Sequence, residues 1–166
     1  RSITLFREYF PSLKADEYFA GLQDVPWHQE EIIVFGKKYP EPRETAWYGD
    51  QGTTYTYSGI THTPKPWTSV LSEIREKVEN ETQERFNSVL LNRYRNGQDS
   101  VAWHADDEPL WGRVGDAFNI VSLTLGATRT FEFKSNVLGS KVHTIPLGDG
   151  IAMTMEGVFQ TFFTHR

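Results

Sequence analysis

The sequence contains no cysteine, which excludes both a disulfide framework and a thiolate zinc site. No apolar run is long enough to span a bilayer, and no signal-peptide pattern opens the chain. The expected protein therefore has no membrane partner, works in the nucleus or cytoplasm, and is not secreted. Internal repeats and low-complexity linkers are missing too, which argues against a solenoid. Positive charge is in deficit: Lys and Arg number 17 against 22 Asp and Glu, for a net charge of −5. Such a balance excludes coating nucleic acid by bulk electrostatics, but not a local basic rim around a pocket. The first residue is Arg1 rather than Met, and the sequence reads as part of a longer protein.

The 166 residues fit one domain with a substantial core, and a monomer is expected. Aromatic residues make up 14%, a content that serves cores and base-stacking surfaces equally well. Ser12 is placed to cap a short helix over 13–22, with Tyr18, Phe19 and Leu22 inward. Ile32, Ile33, Val34 and Phe35 form a strand-like run ending at Gly36, and residues 53–58 read as a Tyr/Thr-rich strand. Pro66 opens the clearest helix, 66–80. Trp67, Val70, Leu71, Ile74 and Val78 keep helical spacing there, and Glu73, Arg75, Glu76, Lys77 and Glu79 take the wet side. Short strands are expected next at 86–95, 100–104, 119–125, 129–134, 142–147, 151–155 and 160–165, punctuated by Gly and Asn or Asp. The architecture read from this is α+β: helices early, then a β core of sandwich, barrel or jelly-roll type.

His104-Ala105-Asp106 is an H-x-D pair. In a strand, residues two apart share a face, so both side chains can reach one ion. His165 is available as a third ligand. Two histidines and a carboxylate form the facial triad of non-haem Fe(II) oxygenases, with positions left open for a co-substrate and O2. The pair alone is a weak signal. A hydrogen-bonded strand histidine and a solvated acidic turn, Asp106-Asp107-Glu108, are the plainer reading. The patterning beside it sharpens the first. If Arg95-Asn96-Gly97 is a three-residue turn with Gly97 left-handed, a hairpin places Ser88, Leu90, Asn92, Tyr94, Ser100, Ala102 and His104 on one face. Val89, Leu91, Val101 and Trp103 fall on the other.

Four blocks then resemble a known family. LNRYRNGQDSVAWHADDE (91–108), PRETAWYGDQGTTYTYSG (42–59), NIVSLTLGATRTFEF (119–133) and IPLGDGIAMTMEGVFQTFFTHR (145–166) look like the AlkB family of Fe(II)/2-oxoglutarate dioxygenases. They are most similar to its eukaryotic-type nucleic-acid demethylases. The resemblance runs from about Phe35 to the last residue. It implies a double-stranded β-helix (jelly roll) with N-terminal helices and a nucleotide-recognition lid: residues 1–65 for extension and lid, 66–166 for the helix and jelly-roll core. It implies Fe(II), 2-oxoglutarate and O2 as cofactor and co-substrates, alkylated DNA or RNA as partner, and oxidative demethylation of 1-methyladenine and 3-methylcytosine with release of formaldehyde. The process this implies is DNA repair, the reversal of DNA damage by alkylation.

Roles are implied residue by residue. His104, Asp106 and His165 match the iron ligands. Asn92 and Tyr94 match residues that touch 2-oxoglutarate, with Leu90 beside them. Tyr57 matches a residue that stacks on the target base, and Tyr55 one near its phosphate. Asp107 matches a residue that reads the base, followed by Glu108. Arg43 and Tyr48 lie in the lid block. Phe35 resembles a hairpin residue that some relatives wedge into duplex DNA; a buried strand residue is the plainer reading. Lys37, Lys38 and Arg43 are candidates for phosphate. The family also carries an R-x-N-x-T-x-R strand after the second histidine, and that final strand is expected beyond Arg166. The alternatives are a non-catalytic nucleic-acid-binding relative, or a protein or RNA demethylase of the same family.

Overall fold

The computed structural model describes residues 3–57, 60–106 and 119–166, with the backbone alone at 55–57, 60 and 61. The described residues carry many short strands and few helices, and form two compact units, 1–21 with 101–166 and 22–100. No helix among them is long and apolar enough to cross a membrane.

The first unit holds two three-stranded antiparallel sheets. One is ordered β1 (Ile3–Phe6), β11 (Ile151–Met155), β8 (Ile120–Thr124); the other is β10 (His143–Leu147), β9 (Arg129–Ser135), β12 (Phe163–His165). Both sheets feed one core. Leu147, Met153, Met155 and Phe159 are buried, and Ile3, Leu5, Ile120, Phe131, Phe133 and Phe163 pack against them. Alternation produces this: Phe131 and Phe133 on β9 and Phe163 on β12 face the core, while Glu132 and Lys134 turn outward.

Helix α1 runs Ser12–Gly21 and buries Ala15 and Tyr18. The Pro11 carbonyl accepts the N–H groups of Lys14 and Ala15, so the chain turns helical at Ser12 itself. Of the residues expected inward, Tyr18 is buried and Phe19 is 44% exposed. Phe19 still has a partner: its ring lies over Gly126, where φ is +84° and a Cβ would stand 2.7 Å from the ring. Leu22 follows the helix and packs on the core of the second unit.

That second unit contains three two-stranded sheets: β2 (Glu31–Val34) with β3 (Lys37–Pro40), β4 (Glu44–Gly49) with β7 (Ser88–Arg93), and β5 (Tyr55–Tyr57) with β6 (Ile60–His62). Helix α2 spans Ser69–Thr82 with Thr68 as N-cap, its hydroxyl accepting the Leu71 N–H at 3.3 Å. The helix therefore starts three residues after Pro66, because Thr68 offers a side-chain acceptor and proline does not. Its buried side carries Leu71 and Val78 as expected, but also Glu79. The Glu79 carboxylate accepts from Arg75, Arg85 and the Phe86 N–H, which ties the helix end to the next strand.

The Phe86 N–H, opposed by burial and helped by Arg75 and Arg85, holds the Glu79 carboxyl down to about 2 from an ordinary 4.5. A depressed carboxyl stabilises the fold above its unfolded pKa, and that stability is lost as pH falls toward its folded one. Acid titration followed by circular dichroism should thus show stability draining between about pH 4.5 and pH 2. Glu79→Gln should be less stable than wild type at neutral pH and flatten that slope; an unchanged slope contradicts the assignment.

Three expectations about strands need correction. The segment 100–104 forms no strand; only His104 makes a bridge, with His165. Strand β7 is laddered to β4, pairing Asn92 with Thr45 and Leu90 with Trp47, and the Ser100 N–H goes to the Pro42 carbonyl at 2.8 Å. The expected three-residue turn is replaced because Asp99, 4% exposed, folds back on it: its carboxylate accepts the Arg95 N–H and the Arg95 guanidinium. Gly97 accordingly has no positive φ. Finally, 160–165 is not all strand. Residues Phe159–Phe162 form the short helix α3, and β12 begins at Phe163.

Candidate metal centre

His104 and His165 face each other across an isolated antiparallel bridge. Each donates its N–H to the other's carbonyl, at 3.0 and 2.8 Å, and directly opposed residues project to the same side. Their rings lie 4.2 Å apart. Asp106, two residues on, reaches the same point: its Oδ1 is 3.5 Å from His104 Nε2 and its Oδ2 is 3.4 Å from His165 Nε2. One ligand atom from each of the three lies within 4.8 Å of the others.

The chemistry of this donor set calls for a cation. His104 Nδ1 is 2.8 Å from the Ala102 carbonyl, and a carbonyl only accepts, so Nδ1 carries the proton. In the neutral ring Nε2 is then a bare lone pair aimed at a carboxylate oxygen. Two acceptors face to face repel unless a positive charge sits between them. Two imidazole nitrogens and one carboxylate suit a first-row divalent ion, and the fixed tautomer is how proteins orient a ligating histidine. Burial pushes the Asp106 carboxyl up, but positive charge at the two imidazoles outweighs it and holds the group well below the usual carboxylate range.

An apolar floor lies under the triad. Phe131 and Phe159 approach the His165 ring at 5.3 and 6.0 Å, and His165 is 5% exposed. Its Nδ1 is the one buried side-chain polar atom without a hydrogen-bond partner among the described residues. His104 and Asp106 are half-buried, so the opening is on their side.

The other residues singled out by sequence belong to the second unit or lie outside the described residues. Strand β7 turns Leu90 and Asn92 outward, with Leu90 49% exposed, and buries Leu91, which is the alternation expected of them. Arg43 donates to Asn92 Oδ1 at 2.8 Å and to Glu41 at 3.1 Å. Tyr94 is partly buried. Tyr48 is 3% exposed and packs with Ala46, Leu71 and Leu91, so its side chain is a core element. Tyr55 and Tyr57 stand on the first strand of the β5–β6 hairpin. Asp107 and Glu108 lie outside the described residues. Phe35 is 102% exposed, with φ +49° beside Gly36 at +76°. It is therefore the first residue of a two-residue hairpin turn, not a buried strand residue.

One residue at the site escaped the sequence reading. Gln160, 6% exposed, accepts the Asp106 N–H at 2.8 Å. The available signal was a lone amide in the apolar run Val158, Phe159, Phe162, Phe163.

Comparison with known proteins gives the same direction. The model of the 2OG-Fe(II) oxygenase superfamily matches residues 2–166. The chain is 44% identical over 153 residues to the human alpha-ketoglutarate-dependent dioxygenase alkB homolog 3, covering 87% of this chain and 52% of that protein. It is 37% identical over 166 residues to the human DNA oxidative demethylase ALKBH2, covering 95% and 60%. To the DNA oxidative demethylase ALKBH2 of Arabidopsis thaliana it is 39% identical over 133 residues, covering 77% and 41%. The chain spans about half the length of the curated relatives it matches.

Proposed function

Because this chain belongs to the 2OG-Fe(II) oxygenase superfamily, and within it to the AlkB family, we propose that it oxidatively demethylates N-alkylated nucleobases, of the 1-methyladenine and 3-methylcytosine type, in DNA. The jelly roll is the fold of that superfamily. The observation that carries the proposal is the convergence of His104, Asp106 and His165 on one point. Those three residues would hold Fe(II). Fe(II) with 2-oxoglutarate and O2 would supply hydroxylation of the N-methyl group there, one oxygen atom of O2 going to succinate with loss of CO2 and the other to the methyl carbon, which would then leave as formaldehyde.

The chain's own tasks are orientation and exclusion of water. Phe131 and Phe159 keep the floor of the centre dry. The Ala102 carbonyl holds the proton on His104 Nδ1 and so makes Nε2 the ligating nitrogen. Leu90, Asn92 and Tyr94 are assigned to 2-oxoglutarate, with Arg43 steadying the Asn92 amide. Tyr55, Tyr57, Asp107 and Glu108 are assigned to the base and its phosphate. Tyr48 supports this set from the core, holding β4 in place.

A methyl group on a Watson–Crick nitrogen is out of reach inside a duplex, so the base must leave the stack. Phe35 is suited to assist. Its left-handed backbone costs a non-glycine residue about 1–2 kcal/mol, and its ring gains nothing from burial, so the folding of the hairpin does not call for phenylalanine. An exposed apolar wedge between two strands, with Lys37 and Lys38 following, fits insertion into a base step. Mass spectrometry of methylated oligonucleotides incubated with the protein, Fe(II) and 2-oxoglutarate tests both points. Methyl loss is expected on both substrates, and Phe35→Ala should slow duplex repair about tenfold while leaving single-stranded repair near wild type. Equal loss on both removes the wedge; no methyl loss by wild type removes the demethylase.

A further inference from the structure

Asp106 has an unusual support for a ligand on a β scaffold. Within 101–106 the single bridge is His104 with His165. That bridge fixes His104, but leaves the backbone between it and Asp106 without a ladder. The support comes from a side chain. Gln160, on α3, is 6% exposed; its Oε1 accepts the Asp106 N–H at 2.8 Å and its Nε2 donates to Met155 Sδ at 3.5 Å. An N–H must meet an oxygen, so these two contacts set the amide's orientation. Met155 is 4% exposed and held in β11 between Ile3 and Ile120. The Asp106 backbone is thus tied through one buried amide to the laddered centre of the core.

Burying a primary amide costs roughly 1–3 kcal/mol unless it is hydrogen-bonded, and leucine or methionine would fill this space without that demand. Resting on the metal centre above, we propose that Gln160 is a positioning residue for that centre: it fixes the Asp106 backbone so that the carboxylate meets both imidazoles. It touches neither metal nor substrate, so its effect is on affinity for the ion and on the local mobility of Asp106.

The test uses Gln160→Leu, which removes the acceptor at similar size, and Gln160→Glu, which keeps an oxygen at the same reach. Cobalt(II) is titrated into the metal-free protein and followed by its visible absorption, and amide hydrogen exchange is read at Asp106. Gln160→Leu should bind cobalt about 10–100-fold more weakly, the scale of partners that orient a ligand. Its Asp106 amide should exchange faster while β8 and β11 stay protected, and Gln160→Glu should restore most of both. Cobalt binding within about threefold of wild type in the leucine variant, with a slow Asp106 amide, overturns the role. So does a loss that merely tracks a general fall in Tm and is not restored by glutamate. Failure of the wild type to bind cobalt overturns the metal centre itself, and with it this role.

Discussion

Asp106→Ala is expected to abolish metal binding by the protein. The carboxylate is the only anionic member of the cluster, and both Nε2 atoms are aimed at its oxygens, at 3.5 and 3.4 Å. With it gone, two neutral imidazoles 4.2 Å apart remain, a pair that offers an ion two ligands and no charge. The loss should exceed the roughly 10–100-fold that orienting partners contribute, and calorimetric titration with cobalt(II) or iron(II) under argon measures it directly. Demethylation should fall with it to the limit of detection. The fold should survive, since Asp106 is half-buried and outside any ladder, so an unchanged Tm with no binding is the expected pattern. Binding within a few-fold of wild type would move the ion elsewhere.

Phe159→Ala should have the largest effect on stability. Phe159 is 1% exposed, stacks on Phe163 at 5.0 Å and meets Phe133 at 5.9 Å. Removing a fully buried aromatic ring costs about 3–5 kcal/mol, through lost transfer energy and the cavity left behind. For a chain of 166 residues that corresponds to a Tm drop on the order of 10 °C. Phe162, on the same short helix and 57% exposed, serves as the control: its alanine variant should stay within about 1 kcal/mol. The two variants also separate stability from chemistry. Phe159 is adjacent to Gln160 and lies against His165, so its loss should weaken metal binding even at temperatures where the protein stays folded. A Phe159→Ala variant as stable as the Phe162 variant would contradict the described core.

The metal centre was legible in the sequence because an H-x-D pair keeps two ligands close along the chain and His165 stands on a later strand, but the strand expected around the pair was not there: one bridge holds His104 and Gln160 holds Asp106. The alternation of β7 was legible because Leu91 must turn inward and Leu90 outward whatever the strand pairs with. Pairing was another matter. It depended on Asp99, whose side chain competes for the Arg95 N–H and closes the loop, and such competition leaves no periodic trace. Glu79 misled for a related reason: a charged residue at a helical position reads as solvated until Arg75, Arg85 and Phe86 are known to surround it. The run from Val158 to Phe163 is rich in β-forming residues, but the helix prevails there because it buries Phe159 and delivers Gln160 to Asp106. For Phe35 the apolar pattern alone gives the end of a strand while the family resemblance gives a hairpin residue, and the positive φ of residues 35 and 36 decides for the hairpin tip.

If oxidation of a methylated base at this centre is coupled to 2-oxoglutarate, as proposed, the products form in a fixed ratio that can be counted. The protein is incubated with Fe(II), 2-oxoglutarate and a 1-methyladenine oligonucleotide, and succinate, formaldehyde and unmethylated adenine are quantified together. The three are expected in equal amounts, all lost when 2-oxoglutarate is omitted or in Asp106→Ala. Succinate formed with the methyl group left intact would contradict it and turn attention to a different substrate at the same iron.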